Sequence, residues 1–235
     1  MFEGKKYIIF DLDGTLIDSV GIWNEVDRRF ANALGGSTEG VDVQAIRDSK
    51  LREFKAADDP YKAYCKYIGE KYDSSLSAKE LVKLRYDIAH ELTANEVDYK
   101  PSADVFLHKL YDRGFTLIIA STTRRDNLEV YLTQNMNIKD KAPLDMLFKA
   151  IYTREDAKSI KPSPEIYERV LREFNASPKE CLIFEDSLIG VEAANNAGID
   201  VVAVYDQFSE SDRAAIESRS IAYFNNYNEL LRILK

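Results

Sequence analysis

Two carboxylates, Asp11 and Asp13, close an apolar run in "YIIFDLDGTLIDS". Two positions apart on an extended chain, they point to the same side. Carboxylates that close repel, and one would be forced up in pKa unless a cation joined them. Three further stretches carry groups of matching chemistry: "LIIAST" ends in Ser121 and Thr122, "IKPSPE" holds Lys161, and "CLIFED" ends in Glu185 and Asp186. Adding Asp186 to the first pair makes a hard, oxygen-rich set of the kind Mg2+ takes, in sites of few carboxylates completed by water and a substrate phosphate. Lys161, in a loop stiffened by Pro162 and Pro164, is a point charge that can hold a phosphate or a carboxylate. An acid, a base or nucleophile, a metal, a hydroxyl donor and a lysine suit phosphoryl transfer.

Each piece also has a plainer reading. A lone Asp after a strand is commonly a turn former or helix cap. Ser121 is equally an N-cap for the helix that follows, and Ser187 caps the next one. Lys161 alone is an ordinary surface lysine, and "KPSP" an ordinary turn. The groups gain meaning from the elements that deliver them. Each of the three acidic or hydroxylic clusters follows a short apolar strand, and ligands of open α/β sheets bind beyond the carboxyl ends of the strands. All three should therefore lie on one edge of one sheet.

The pattern along the chain changes texture twice. Residues 5–11 read as a buried strand. Residues 18–95 read as almost wholly helical: "SVGIWNEVDRRFANALGG", stopped by Gly35 and Gly36, then "DVQAIRDSKLREFKA", "DPYKAYCKYIGEKY" and "SAKELVKLRYDIAHEL", the last opened by a Ser77/Glu80 capping box. From Tyr99 helix and strand alternate: a helix over 102–113, the strand "FTLIIAS", an irregular region, a short strand at 149–152 and a helix after "KPSPE". The strand "CLIFED", the helix "SLIGVEAANNAG" and the strand "IDVVAVY" complete the series. Such alternation predicts βαβ units and a parallel sheet covered on both faces. The expectation is an α/β core of residues 1–17 and 96–235, with an all-helical domain, 18–95, inserted after the first strand.

Bulk properties narrow the function. A net charge of −8 argues against a general nucleic-acid or anionic-membrane partner. Cys65 and Cys181 are far apart and in no metal-type spacing, which suits a reducing compartment. The opening apolar run is too short for a signal peptide, and no later run could span a bilayer, so a cytoplasmic location is expected. His90 and His108 lie near no Ser or Cys motif, which leaves a triad hydrolase without support.

Assembled in order, "DLDGTLIDS", "LIIAST", "KPSPEIY" and "IFEDSLIGVEAANNAGI" resemble the haloacid dehalogenase-like superfamily, in its sugar-phosphate phosphatase branch. The resemblance implies a Rossmann-like core with a helical cap that closes over it and selects the substrate. It implies Asp11 as the nucleophile that becomes an aspartyl-phosphate, and Asp13 as the acid for the departing alkoxide and base for the hydrolytic water. Mg2+ would be held by Asp11, Asp186 and the backbone carbonyl of Asp13, with Glu185 reaching it directly or through water. Ser121, with Thr122, would bind the phosphate, and Lys161 would neutralise its charge. A small phosphorylated metabolite is the implied partner. An acid at Asp13 separates phosphate-ester hydrolysis from dehalogenation, in which halide leaves unprotonated.

Two alternatives stand beside this one: a β-phosphoglucomutase-like mutase, whose family members carry a histidine in the first cap helix where Trp23 stands here, and a binding module without turnover. In the cap, Trp23, Arg47 and Arg52 are candidate substrate contacts. Tyr61, Tyr64 and Tyr67 read as packing, and Lys50, Lys55, Lys62 and Lys66 mostly as a solvated face. Ser102 stands where relatives often have glycine, which would stiffen the second hinge. Residues 135–160 form a longer segment than in close relatives and imply an extra helix near the site.

Overall fold

Six parallel strands form one sheet in the order β3-β2-β1-β4-β5-β6. They are β1 (Tyr7–Phe10), β2 (Thr116–Ala120), β3 (Phe148–Tyr152), β4 (Cys181–Glu185), β5 (Asp200–Val204) and β6 (Ala222–Phe224). The structure is a computed structural model, and it describes residues 1–54 and 56–234. Four helices follow β1: α1 (Ile22–Ala33), α2 (Val43–Glu53), α3 (Pro60–Lys71) and α4 (Ala78–Asn95). Eight more lie among and after the remaining strands: α5 (Ala103–Asp112), α6 (Arg125–Thr133), α7 (Met136–Lys141), α8 (Leu144–Leu147), α9 (Glu165–Glu173), α10 (Leu188–Asn196), α11 (Arg213–Arg219) and α12 (Tyr227–Ile233). This is the covered parallel sheet that the alternation of strand and helix predicts, and the Rossmann-like α/β core that the resemblance implies.

Strand alternation assigns residues to the two faces of the sheet. Ile9, Ile118, Ile183 and Val201 share a core with Tyr167 and Val170 of α9, Val191 and Ala194 of α10, and Ile216 of α11. Phe10 stacks on Phe184 at 4.9 Å and meets Phe106 of α5 and Phe148 edge-on. With both faces covered, Ile8, Ile9 and Phe10 are completely buried, so the central strand is a fixed platform for whatever follows it.

The chain divides into two compact units, one of Met1–Val20 with the chain from Asn95 onward, the other of Gly21–Ala94. Local chemistry sets the helices of the second unit. Asp42 and Asp59 accept N–H bonds from Ala45 and Lys62 at the starts of α2 and α3. Ser77 and Glu80 exchange the reciprocal bonds of a capping box ahead of α4. Phe30, Tyr64, Cys65, Ile68 and Leu81 form its main apolar cluster. Tyr64 is thus packing, and Tyr67 lies beneath the Lys50 ammonium, 4.3 Å from its ring. Lys62 and Lys66 are exposed, whereas Lys50 is half-buried; Lys55 is outside the described residues.

A buried ionic cluster ties the same unit together. Asp27 accepts from Arg85 at 2.8 Å and from Arg47 at 2.7 Å, and Arg47 also donates to Asn24. The Arg85 guanidinium lies 5.3–5.8 Å from the rings of Trp23, Tyr61 and Tyr64. Among the described residues its Nη2 has no hydrogen-bond partner, and those aromatic faces supply the attraction instead.

The structure departs from the sequence pattern in three places. The region after β2, expected to be irregular, is the three helices α6, α7 and α8. They are short, and Asn135 and Pro143 break them, so no apolar period runs long enough to be read. Residues 135–160 do add helix, but α7 and α8 are anchored to α5, β3 and residues 97–99, with Asn135 Nδ2 donating to the Val97 carbonyl at 2.9 Å. Beyond Tyr205 the chain adds α11, β6 and α12, which extend the sheet and cover it. Ser102, before α5, has φ +68°, a left-handed conformation that favours glycine, and its hydroxyl bonds Asn228 at 3.0 Å. No helix among the described residues is long and apolar enough to cross a membrane.

Asp27→Asn is expected to cost about 3–5 kcal/mol of stability, because Arg85 would keep a buried charge without its counter-ion. Urea unfolding monitored by circular dichroism measures it, and a loss below about 1 kcal/mol would contradict this account of the cluster.

Candidate active site

β1 lies between β2 and β4, and the chain leaves it in opposite directions along the sheet, so its carboxyl end is the topological switch point of this order. In register, Phe10 pairs with Ile119 on one side and Phe184 on the other. Asp11 therefore sits beside Glu185, its N–H donating to the Phe184 carbonyl at 3.0 Å, and Ser121 follows the next strand over. The convergence expected from the sequence is realised within one unit.

Lys161 binds the centre of the cluster. Its ammonium is 2.6 Å from Asp11 Oδ1 and 2.6 Å from Glu185 Oε1, with all three side chains almost completely buried. Glu185 is saturated by donors. Oε1 also accepts from the Tyr167 hydroxyl at 3.2 Å, and Oε2 accepts from the Asp186 N–H, the Ser187 N–H and the Ser187 hydroxyl at 3.0–3.3 Å. Asp186 takes Thr15 Oγ1 at 2.7 Å and Ser209 Oγ at 3.4 Å. Tyr227 in turn donates to the Thr15 carbonyl.

Asp13 is held separately. Ser19 Oγ lies 2.5 Å from its Oδ1 and Tyr131 OH 3.3 Å from the same atom. Ser121 Oγ accepts the Thr123 N–H at 3.2 Å, a local turn and not the helix cap that its position also allowed; its own proton goes to no acceptor among the described residues. Thr122, next along, is half-buried. Ser187 does cap α10, accepting from the Gly190 N–H.

Burial governs the electrostatics. It pushes the Asp11 carboxyl up to about 7, against the pull of Lys161 and with added repulsion from Glu185 and Asp13. Asp186 is raised well above the carboxylate range by burial, then by Glu185 and Asp11. Asp13 is raised by burial, while the hydroxyls of Ser19, Thr123 and Tyr131 favour its charged form. Burial would lower Lys161, but Asp11 and Glu185 outweigh it and hold the ammonium well above its ordinary value. Tyr131 is pushed far up by burial and by the Asp13 charge. Asp11, Glu185 and Asp186 each bring a carboxylate oxygen within 4.8 Å of the others, with the Lys161 ammonium against Asp11 and Glu185. This set of hard oxygens, short of positive charge, fits a divalent cation such as Mg2+.

Trp23, Arg47 and Arg52 all belong to the helical unit. Trp23 and Arg47 join the Arg85–Asp27 cluster there, and Arg52 is exposed and donates to the Asp48 carbonyl. Sequence reasoning missed Thr15, Ser19, Tyr131 and Tyr167. Thr15 and Ser19 stand in the opening motif, where hydroxyls next to a carboxylate pair were the available signal. Tyr131 and Tyr167 reach the site from helices far along the chain.

Residues 8–204 match the family model of the haloacid dehalogenase-like hydrolases. The chain belongs to that family. Among relatives of this haloacid dehalogenase-like hydrolase, the phosphorylated carbohydrates phosphatase of Thermotoga maritima is 25% identical, the match covering 97% of each chain. The mitochondrial (DL)-glycerol-3-phosphatase 1 of Arabidopsis thaliana is 27% identical over 85% of this chain and 64% of that protein. The crystal structure of CbbY from Rhodobacter sphaeroides, solved with phosphate, shares the fold with a TM-score of 0.69, at 21% identity and 96% coverage of both chains.

Gly190 lies so close to Glu185 that an added Cβ would fall 1.8 Å from Oε1. Gly190→Ala should therefore lower stability by about 1–3 kcal/mol and displace the Glu185 carboxylate that holds Lys161. Thermal unfolding tests this, and an unchanged midpoint would mean that α10 can shift without cost.

Proposed function

We propose that this chain hydrolyses small phosphate monoesters, sugar or polyol phosphates foremost, through a phosphoryl group carried on Asp11. It is a phosphoric monoester hydrolase. The observation that supports the mechanism is the different surroundings of two neighbouring carboxylates: Asp11 is paired with the buried Lys161, while Asp13 is held by hydroxyls. The phosphatase relatives support the substrate class, and the inserted helical region, 18–95, is assigned to selecting among such esters.

An Asp11 carboxylate oxygen attacks phosphorus, and the bond from phosphorus to the ester oxygen breaks with its electrons going to that oxygen. Asp13 gives the departing alkoxide its proton. Water then attacks the aspartyl-phosphate at phosphorus, Asp13 takes the water's proton, and phosphate leaves with Asp11 restored. Lys161 orients Asp11 and offsets the repulsion between two anions, and the Ser121 hydroxyl, with Thr122, donates to phosphate oxygens. Asp11, Asp186 and the Asp13 carbonyl would hold Mg2+, with Glu185 adding its charge. Once bound, the ion supplies charge neutralisation for the phosphoryl oxygens. Glu185, whose oxygens are filled by protein donors, serves first to fix Lys161.

Hydrolysis is preferred to mutase chemistry because the indole of Trp23, at the place of the mutase histidine, is a hydrogen-bond donor only and cannot serve as acid or base to a sugar hydroxyl, and its ring lies 5.3 Å from the Arg85 guanidinium. Phosphate release from a panel of sugar, polyol and nucleoside monophosphates, with β-glucose 1-phosphate included, should require Mg2+, stop with EDTA and fall more than about a thousandfold in Asp11→Asn. Isomerised sugar phosphate without release would make the protein a mutase. Neither product from folded protein would favour a binding module.

A further inference from the structure

We propose that Tyr131 is a positioning residue for the acid/base carboxylate Asp13, holding it by one oxygen so that the other meets the leaving group. The inference rests on the phosphatase reading above.

Tyr131 is on α6, 118 positions from Asp13, and its side chain is buried. The one hydrogen bond it donates to the cluster goes to Asp13 Oδ1, the oxygen that also receives Ser19 at 2.5 Å. A carboxyl side chain turns about two torsions, and a general acid must present its proton within about 3 Å of the ester oxygen. Two donors on Oδ1, with the Thr123 hydroxyl a third donor to the same carboxylate, restrict both torsions. The buried Lys161 ammonium would otherwise draw the Asp13 carboxylate toward the centre of the cluster, where Asp11 and Glu185 already sit. Ser19 lies only six positions from Asp13, in the same stretch between β1 and α1. Tyr131 comes from α6, where Leu128 and Val130 are also buried, and so ties Asp13 to a helix outside its own loop.

A plain alternative is that Tyr131 is a core residue whose hydroxyl merely needs a partner. The two roles separate by leaving group. An alkyl phosphate needs a proton on its departing oxygen, whereas p-nitrophenolate leaves without one. The value of kcat/KM covers only the steps up to the departure of the leaving group, so the later water step does not enter. Tyr131→Phe, with its fold checked by circular dichroism and thermal unfolding, should lose about ten- to hundredfold in kcat/KM on the best alkyl phosphate of the panel. On p-nitrophenyl phosphate the loss should stay below about threefold. In an Asp13→Asn background, the same substitution should cause almost no further loss on the alkyl ester.

Equal losses on both esters, no loss on either, or a full additional loss in the Asp13→Asn background would overturn the assignment while leaving the phosphatase reading intact. A wild-type protein inert toward every ester would overturn that reading, and this inference with it.

Discussion

The ion pair on which this structure depends is the Lys161 ammonium wedged between Asp11 and Glu185. Several carboxylates brought together out of water repel one another strongly, and the desolvation of each is costly. One ammonium at 2.6 Å from two of them makes the cluster tolerable without neutralising it. The residual negative charge invites a divalent cation, and the fixed geometry of the pair holds Asp11 ready. Breaking the pair from either side would leave a buried charge uncompensated, so the neighbouring framework is built to keep it. Tyr167, Ser187 and the backbone at residues 186 and 187 hold Glu185 from beyond, and the absence of a side chain at Gly190 lets the carboxylate fit.

The sheet supplies the rigidity that such a cluster demands. β1 and β4 are adjacent and parallel, with Phe10 and Phe184 stacked on one face, so the residues that follow them emerge side by side. Gly14 turns the chain immediately afterwards with φ +83°. Its missing Cβ would lie 2.6 Å from Asp186 Oδ2, so only glycine lets the two acidic loops approach. The helical unit solves a similar problem with the opposite charge balance. There a single buried carboxylate, Asp27, serves two arginines, and aromatic faces satisfy what remains of Arg85.

Much of this was legible in the chain because it is local. A strand ending in Asp11, an acidic pair after "CLIF" and proline-flanked Lys161 are readable from neighbours a few positions away. The parallel sheet follows from short apolar strands separated by helices. What escaped was of two kinds. Helices α6 to α8 are too short and too interrupted for a period of 3.6 to emerge, and β6 has only three residues, none fully buried. The second kind is contact at a distance. Nothing around Tyr131 distinguishes a core tyrosine from one whose hydroxyl reaches Asp13, and nothing around Arg47 reveals that Asp27 already holds it. Such pairings are made by the fold, after the local pattern has done its part.

The most direct test of the central claim is to trap the phosphoryl group on its carboxylate. The enzyme, turning over a good phosphate ester with Mg2+, would be quenched in acid, reduced with borohydride and digested for mass spectrometry. Reduction of an aspartyl-phosphate converts that aspartate to homoserine. Homoserine at position 11, dependent on ester and absent from Asp11→Asn, is the result this account predicts. Homoserine at position 13, or none at any position while phosphate is being released, would contradict it.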